Sequence, residues 1–194
     1  MKNVSTILTT KAIFSDDGLS RYLLTKTWDA SKPTLAVIMM APAEADGVVL
    51  DNTTMLVVNN ASRLGYGTVA ILNLFARVND FLLQHAGLED AENLDMIVST
   101  VQKADAVVYA AGVGKTSSKK FQERQRQVLE ALRPVEEKLH CLCNAKGYAR
   151  LQHPLSPAVR IWHLSPLKIS ELIEDIKPKE EPPKKGKAKS EPAA

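Results

Sequence analysis

Three stretches of this chain end an apolar run in residues that can do chemistry, and a fourth, proline-containing stretch follows them in a fixed order. Ile38-Met39-Met40-Ala41-Pro42 is followed by Val69-Ala70-Ile71-Leu72-Asn73, then by Val107-Val108-Tyr109-Ala110-Ala111-Gly112, and last by Gln152 to Arg160. In open α/β sheets, ligands bind just outside the carboxyl ends of the strands, where such breaks fall. Asn73 follows four apolar residues, so its carboxamide emerges from a buried strand and must find partners, either local backbone or the edge of a planar ligand. His153 precedes Pro154 in a constrained loop, where it can donate to a developing anion or tie the loop down. Asp46 and Asp51 bracket the loop after the first buried strand. Two carboxylates there can activate water or hold a cation. A plainer reading makes Asp51 a helix N-cap and puts Asp46 in a turn with Gly47. Pro42, Gly112, Arg77 and Arg160 complete the candidate binding residues at these loops.

Three other patterns carry less. Gly112-Val113-Gly114-Lys115-Thr116 follows a strand and precedes a helix, but a P-loop needs a glycine where Tyr109 stands. What remains is a helix N-terminus whose amides, with Lys115, can hold a phosphate. The helix that follows carries Lys115, Lys119, Lys120, Arg124 and Arg126, a basic face that is either solvated or a contact for phosphate backbone. His140-Cys141-Leu142-Cys143 has no second ligand pair at zinc spacing, so its cysteines read as buried and inert. No metal or cofactor is expected. No Gly-x-Ser-x-Gly elbow is present.

The elements that must position these residues follow from periodicity. Lys11–Ser15 and Ser20–Trp28 flank Asp16-Asp17-Gly18 as a β-hairpin whose glycine supplies the positive φ of the turn. Strands are expected over 34–40, 68–74, 105–111 and 138–143. Helices are expected over 51–64, 90–103 and 117–132. The near-continuous apolar strand at 34–40 is the pattern of burial on both faces. Residues 145–163 read as a structured loop, and Ser165-Pro166 as the N-cap and first position of a last helix ending near Ile176. Strands alternating with helices imply a three-layer α/β sandwich with a mainly parallel central sheet.

Length fits one globular domain over residues 1–176 and a tail over 177–194. The tail has no large apolar side chain and reads as disordered, whether as a solubilising segment or as a contact for nucleic acid. It holds six lysines and three glutamates, so the remaining nineteen basic and nineteen acidic side chains balance. A neutral body lacks the strong global charge of a general duplex-DNA binder. No apolar run reaches membrane-spanning length, and the start lacks the apolar stretch of a signal peptide. Two cysteines form no disulfide framework, which places the chain in the cytoplasm. Oligomeric state leaves no trace.

Two resemblances rest on these residues. Residues 12–165 resemble a bacterial and phage family known as domain of unknown function 1643. They do so through the Arg21 strand with Trp28, Met39 to Asp46, Asp51-Asn52-Thr53-Thr54, Gly65-Tyr66-Gly67, Asn73-Leu74-Phe75-Ala76 and His153-Pro154-Leu155. More distantly, the four strand ends are similar in order to those of the uracil-DNA glycosylase superfamily. That resemblance implies a uracil-DNA-glycosylase-like fold. Asn73 would read a base, His153 would steady the leaving base, and the loop after the first buried strand would hold the attacking water. Glycosylases draw the base out of the stack into such a pocket. Ala41 stands where that family places its water-activating carboxylate or carboxamide, and a methyl group accepts no proton, so Asp46 would have to substitute. Ala111 stands where the family usually has Trp. The expected function is a glycosylase-like pocket for a base, nucleoside or nucleic acid. The alternative is a non-enzymatic phage or host interaction protein that engages a partner through its basic helix and tail.

Overall fold

The computed structural model describes residues 1–43, 48–80, 91–112, 119–147 and 152–176. Among these residues, seven strands form one sheet in the order β1-β2-β4-β3-β5-β6-β7. They are β1 (Thr9–Phe14), β2 (Arg21–Thr27), β3 (Thr34–Met39), β4 (Thr68–Asn73), β5 (Ala106–Tyr109), β6 (Leu139–Cys143) and β7 (His163–Pro166). The α-helices of the described residues are α1 (Asn52–Arg63), α2 (Ala91–Lys103), α3 (Lys119–Ala131) and α4 (Ile169–Ile176). The four central strands are parallel, and each flank is antiparallel. The expected mixed α/β architecture is present. Residues 177–194 lie outside the described residues.

β3 occupies the middle because every residue from Leu35 to Met39 is apolar and buried. Period-two alternation splits its side chains between two cores. Leu35, Val37 and Met39 pack with Val57 and Ala61 of α1 and with the fully buried Trp162. Ala36 and Ile38 pack with α2, α3 and α4 through Ile97, Val101, Phe121, Val128 and Ile169. The chain runs from β3 by way of α1 to β4 on one side, then back by way of α2 to β5 on the other. α1 and α2 therefore lie on opposite faces. This reversal beside β3 makes a topological switch point, the place where open α/β sheets form their binding crevice.

The N-terminal hairpin forms as expected, with Gly18 at φ +73° and Gly18 N–H donating to the Ser15 carbonyl at 2.9 Å. Trp28 and Asp29 both donate their N–H groups to the Gly67 carbonyl. At Gly67 an added Cβ would lie 1.8 Å from the Asp29 carbonyl oxygen, so only glycine fits.

Two expectations are corrected. Ser165-Pro166 does not open the last helix. Residues 163–166 form β7, which completes the edge of β6 from Cys143↔His163 to His140↔Pro166. The last helix begins at Ile169, whose N–H donates at 2.7 Å to Glu136, a carboxylate distant in sequence. Arg124 is likewise not part of a solvated face. It is 2% exposed, with Nε donating to the Leu74 carbonyl at 2.8 Å, while Lys119, Lys120 and Arg126 remain exposed.

One side chain ties the segment after His153 to α1. Asn60 donates from Nδ2 to the Arg160 carbonyl at 3.1 Å and accepts at Oδ1 from the Trp162 N–H at 2.9 Å. Arg63 adds a bond to the Trp162 carbonyl. Replacing Asn60 with Ala strands the buried Trp162 N–H. Each unsatisfied buried group costs about 1–3 kcal/mol, so Asn60→Ala should lower unfolding stability by about that amount in a urea titration.

Candidate functional site

A cleft of about 400 Å³ opens at the carboxyl end of β3. Met39, Met40, Ala41 and Ala43 form one wall, and Asp51 to Thr54 at the start of α1 form another. Arg21 enters from β2, and His153 and Leu155 close the remaining side.

Arg21 reaches the cleft because of a bulge. Ile13 pairs with Leu23 and Phe14 with Arg21, so Tyr22 is one extra residue in β2. Leu23 packs on the α2 side of the sheet, and Tyr22 also turns that way, its hydroxyl donating to Glu92 at 2.8 Å. Regular alternation would put Arg21 on Leu23's face. The extra residue re-aims it to the α1 face, as bulges do. There it is 2% exposed, and its Nη2 donates to Asn73 Oδ1 at 3.3 Å.

Asp51 has two tasks. Its Oδ1 accepts the Thr54 N–H at 2.7 Å and its Oδ2 lies 3.2 Å from Thr54 Oγ1, the geometry of a helix N-cap. It is also the counter-charge of the cleft. Burial lowers the Arg21 pKa, and the Asp51 charge opposes that fall. Burial also lowers the His153 pKa, and Asp51 again opposes it. His153 Nδ1 accepts the Leu155 N–H at 3.2 Å, which leaves the proton of the neutral ring on Nε2. Ser156 steadies the same loop through the His153 carbonyl at 2.8 Å and Gln152 Oε1 at 2.7 Å.

Of the residues expected from sequence, the cleft unites Asp51 and His153. Asn73 is 1% exposed and sits behind Arg21 rather than in the lining. Its Nδ2 has no hydrogen-bond partner among the described residues, while its carbonyl accepts from Asn93 at 3.0 Å. Pro42 is buried between two lining residues, its carbonyl accepting the Asn79 N–H at 3.0 Å. Gly112, at φ +72°, and Arg77, bridged to Ser20, do not line the cleft. Arg160 projects an exposed side chain and is held through its carbonyl. Asp46 and Lys115 lie outside the described residues. Arg21 was missed as a site residue. Its sequence signal is an arginine opening a half-buried strand directly after a hairpin turn.

The cleft therefore offers a donor-only cation, an acceptor-only carboxylate and a neutral imidazole among thioether and methyl walls. Among the described residues, no three His, Cys, Asp or Glu side chains come together as a metal site. Cys141 and Cys143 are buried free thiols. No helix of the described residues is long and apolar enough to cross a membrane.

Fold and cleft define an α/β protein of the wound type, with a ligand-sized crevice at its switch point. Residues 21–155 match the family described as "Protein of unknown function (DUF1643)", and the chain belongs to that family. Comparison with curated proteins and with solved structures gave no match.

His153 gives a pH prediction. Its folded pKa lies below the ordinary 6.5 because burial disfavours the cation. The unfolded chain then binds the proton more readily, so stability is full above the ordinary pKa and falls as pH drops through the folded value. Urea midpoints measured from neutral pH downward should decline below about pH 6.5, and His153→Gln should flatten that part of the decline.

Proposed function

We propose that the cleft binds a nucleobase, alone or carried by a nucleoside or nucleic acid strand, in a protein of the cytoplasm. One observation carries this reading: a buried guanidinium and a carboxylate share a cleft whose other walls are largely apolar. A nucleobase is flat, has apolar faces, and presents neighbouring donors and acceptors along its edge. Arg21 supplies hydrogen-bond donors, Asp51 supplies an acceptor, and Met39, Met40 and Leu155 offer surface to the ring faces. Their opposite charges offset one another, which suits a neutral ring better than a phosphate. The order of strand ends, similar to that of the uracil-DNA glycosylase superfamily, supports the same ligand class.

Roles within this reading depart from that superfamily at two points. Arg21 stands in front of Asn73, so Arg21 meets the base edge and Asn73 orients Arg21. Ala41 supplies no proton acceptor, so cleavage of a glycosidic bond would depend on Asp46. The Nε2–H of His153 would then steady the departing base. General-base help is typically worth ~10²–10⁴-fold, so a protein lacking it would bind without measurable turnover. The contrasting reading, a partner-binding protein using a basic helix, is weakened by the burial of Arg124.

Calorimetric titration with free bases, nucleosides and short single- and double-stranded oligonucleotides tests the proposal. At least one base-bearing ligand should bind. Asp51→Ser, which keeps a capping side chain, should weaken it about tenfold or more, the worth of a charged hydrogen bond at ~1.5–3 kcal/mol. Circular dichroism should show the fold retained. If none of these ligands binds, the reading is wrong. Incubation with DNA carrying uracil or other altered bases, scored for abasic sites, tests catalysis separately, and Asp46→Ala should abolish any activity found.

A further inference from the structure

We propose that two copies of this chain pair through the edge strand β1 in an antiparallel register centred on Thr10. The inference is independent of the cleft and of its ligand.

The two edges of the sheet differ in kind. β7 is four residues long and ends in Pro166, which has no N–H to offer another strand. β1 is six residues long and contains no proline, and beyond it the sheet has no further strand among the described residues. Such an edge presents a row of unpaired backbone N–H and C=O groups, a template for another strand. The residues around it are apolar where solvent would favour polar ones. Ile7 is 80% exposed, and Leu8, Ile13 and Phe14 are each more than 40% exposed. In residues 6–14 the only charge is Lys11.

A second copy of the same strand fits this pattern better than an unrelated partner, because the sequence is self-complementary about one residue. A two-fold axis at Thr10 sets Thr10 against Thr10, Thr9 against Lys11, Leu8 against Ala12, Ile7 against Ile13 and Thr6 against Phe14. All four exposed apolar side chains then gain a cross-strand neighbour, and no like charges face each other, the two conditions that stabilise such pairs. Shifting the axis to Lys11 would oppose two ammonium groups. A two-fold axis perpendicular to the sheet keeps each face continuous. Ile13, paired with Leu23, thus stays on the α2 face in both copies, and Ala12, paired with Leu24, stays on the α1 face. Residues 1–8, which form no element within one chain, supply the additional strand length.

Sedimentation equilibrium and light scattering on the full chain test this. A monomer–dimer equilibrium is expected. Ile13→Lys and Ile7→Lys should each weaken dimerisation at least tenfold, with the circular dichroism spectrum and melting midpoint unchanged. Under mild oxidation, Thr10→Cys should give a covalent dimer, because residues on the axis lie within disulfide reach. Asp16→Cys, at the hairpin turn, should not. A chain that stays monomeric up to its solubility limit overturns the proposal. So does a dimer insensitive to both lysine variants, or one that cross-links through Asp16→Cys in preference to Thr10→Cys.

Discussion

The sheet is buried on both faces along β3, β4 and β5, and that one constraint governs where this protein can do anything polar. Leu35 to Met39, Val69 to Asn73 and Ala106 to Tyr109 are all buried. A side chain inside these strands meets only other side chains, whichever way it points, and burying each large apolar one contributes about 1.5–3 kcal/mol. A charged group there would cost far more than it returned. Polar chemistry is therefore displaced to the strand ends. Because the central strands are parallel, their carboxyl ends fall on one rim. β2 runs antiparallel to β4, so its first residue, Arg21, arrives at that same rim.

The rim tolerates a buried cation through sharing. Asp51 caps α1 and at the same time sets its charge against Arg21 and His153. Removing a partner from a buried charge is costly, whereas a satisfied pair is close to neutral in stability. The carboxylate thus couples a local task, starting a helix, to a distant one, keeping a guanidinium charged inside the protein. The Asn60 clamp does comparable work for the His153 loop. It holds the chain beyond that loop against the helix that Asp51 begins.

Much of this was legible in the sequence. The hairpin, the buried parallel strands, the cap at Asp51 and the involvement of the loop at His153 rest on local signals: turn residues, continuous apolar runs and a capping residue at the right offset. What escaped depended on partners remote in the chain. The cap of α4 is Glu136, not the adjacent Ser165. β7 exists because β6 would otherwise present an unpaired edge, and its residues show no alternation of their own. Arg124 reads as one more cation on a basic helix until the Leu74 carbonyl meets it from another element. Asn73 was identifiable as a buried amide at a strand end, but not that an arginine would stand in front of it.

That arginine keeps its place because the backbone absorbs one supernumerary residue, Tyr22, in a bulge. Were Tyr22 taken up by regular alternation instead of the bulge, Arg21 would share the face of Leu23 and the guanidinium would leave the cleft. Without Tyr22, Arg21 would directly precede Leu23 and alternation alone would set it on the same α1 face, so the bulge lets the backbone take up one extra residue without moving the cation out of the cleft.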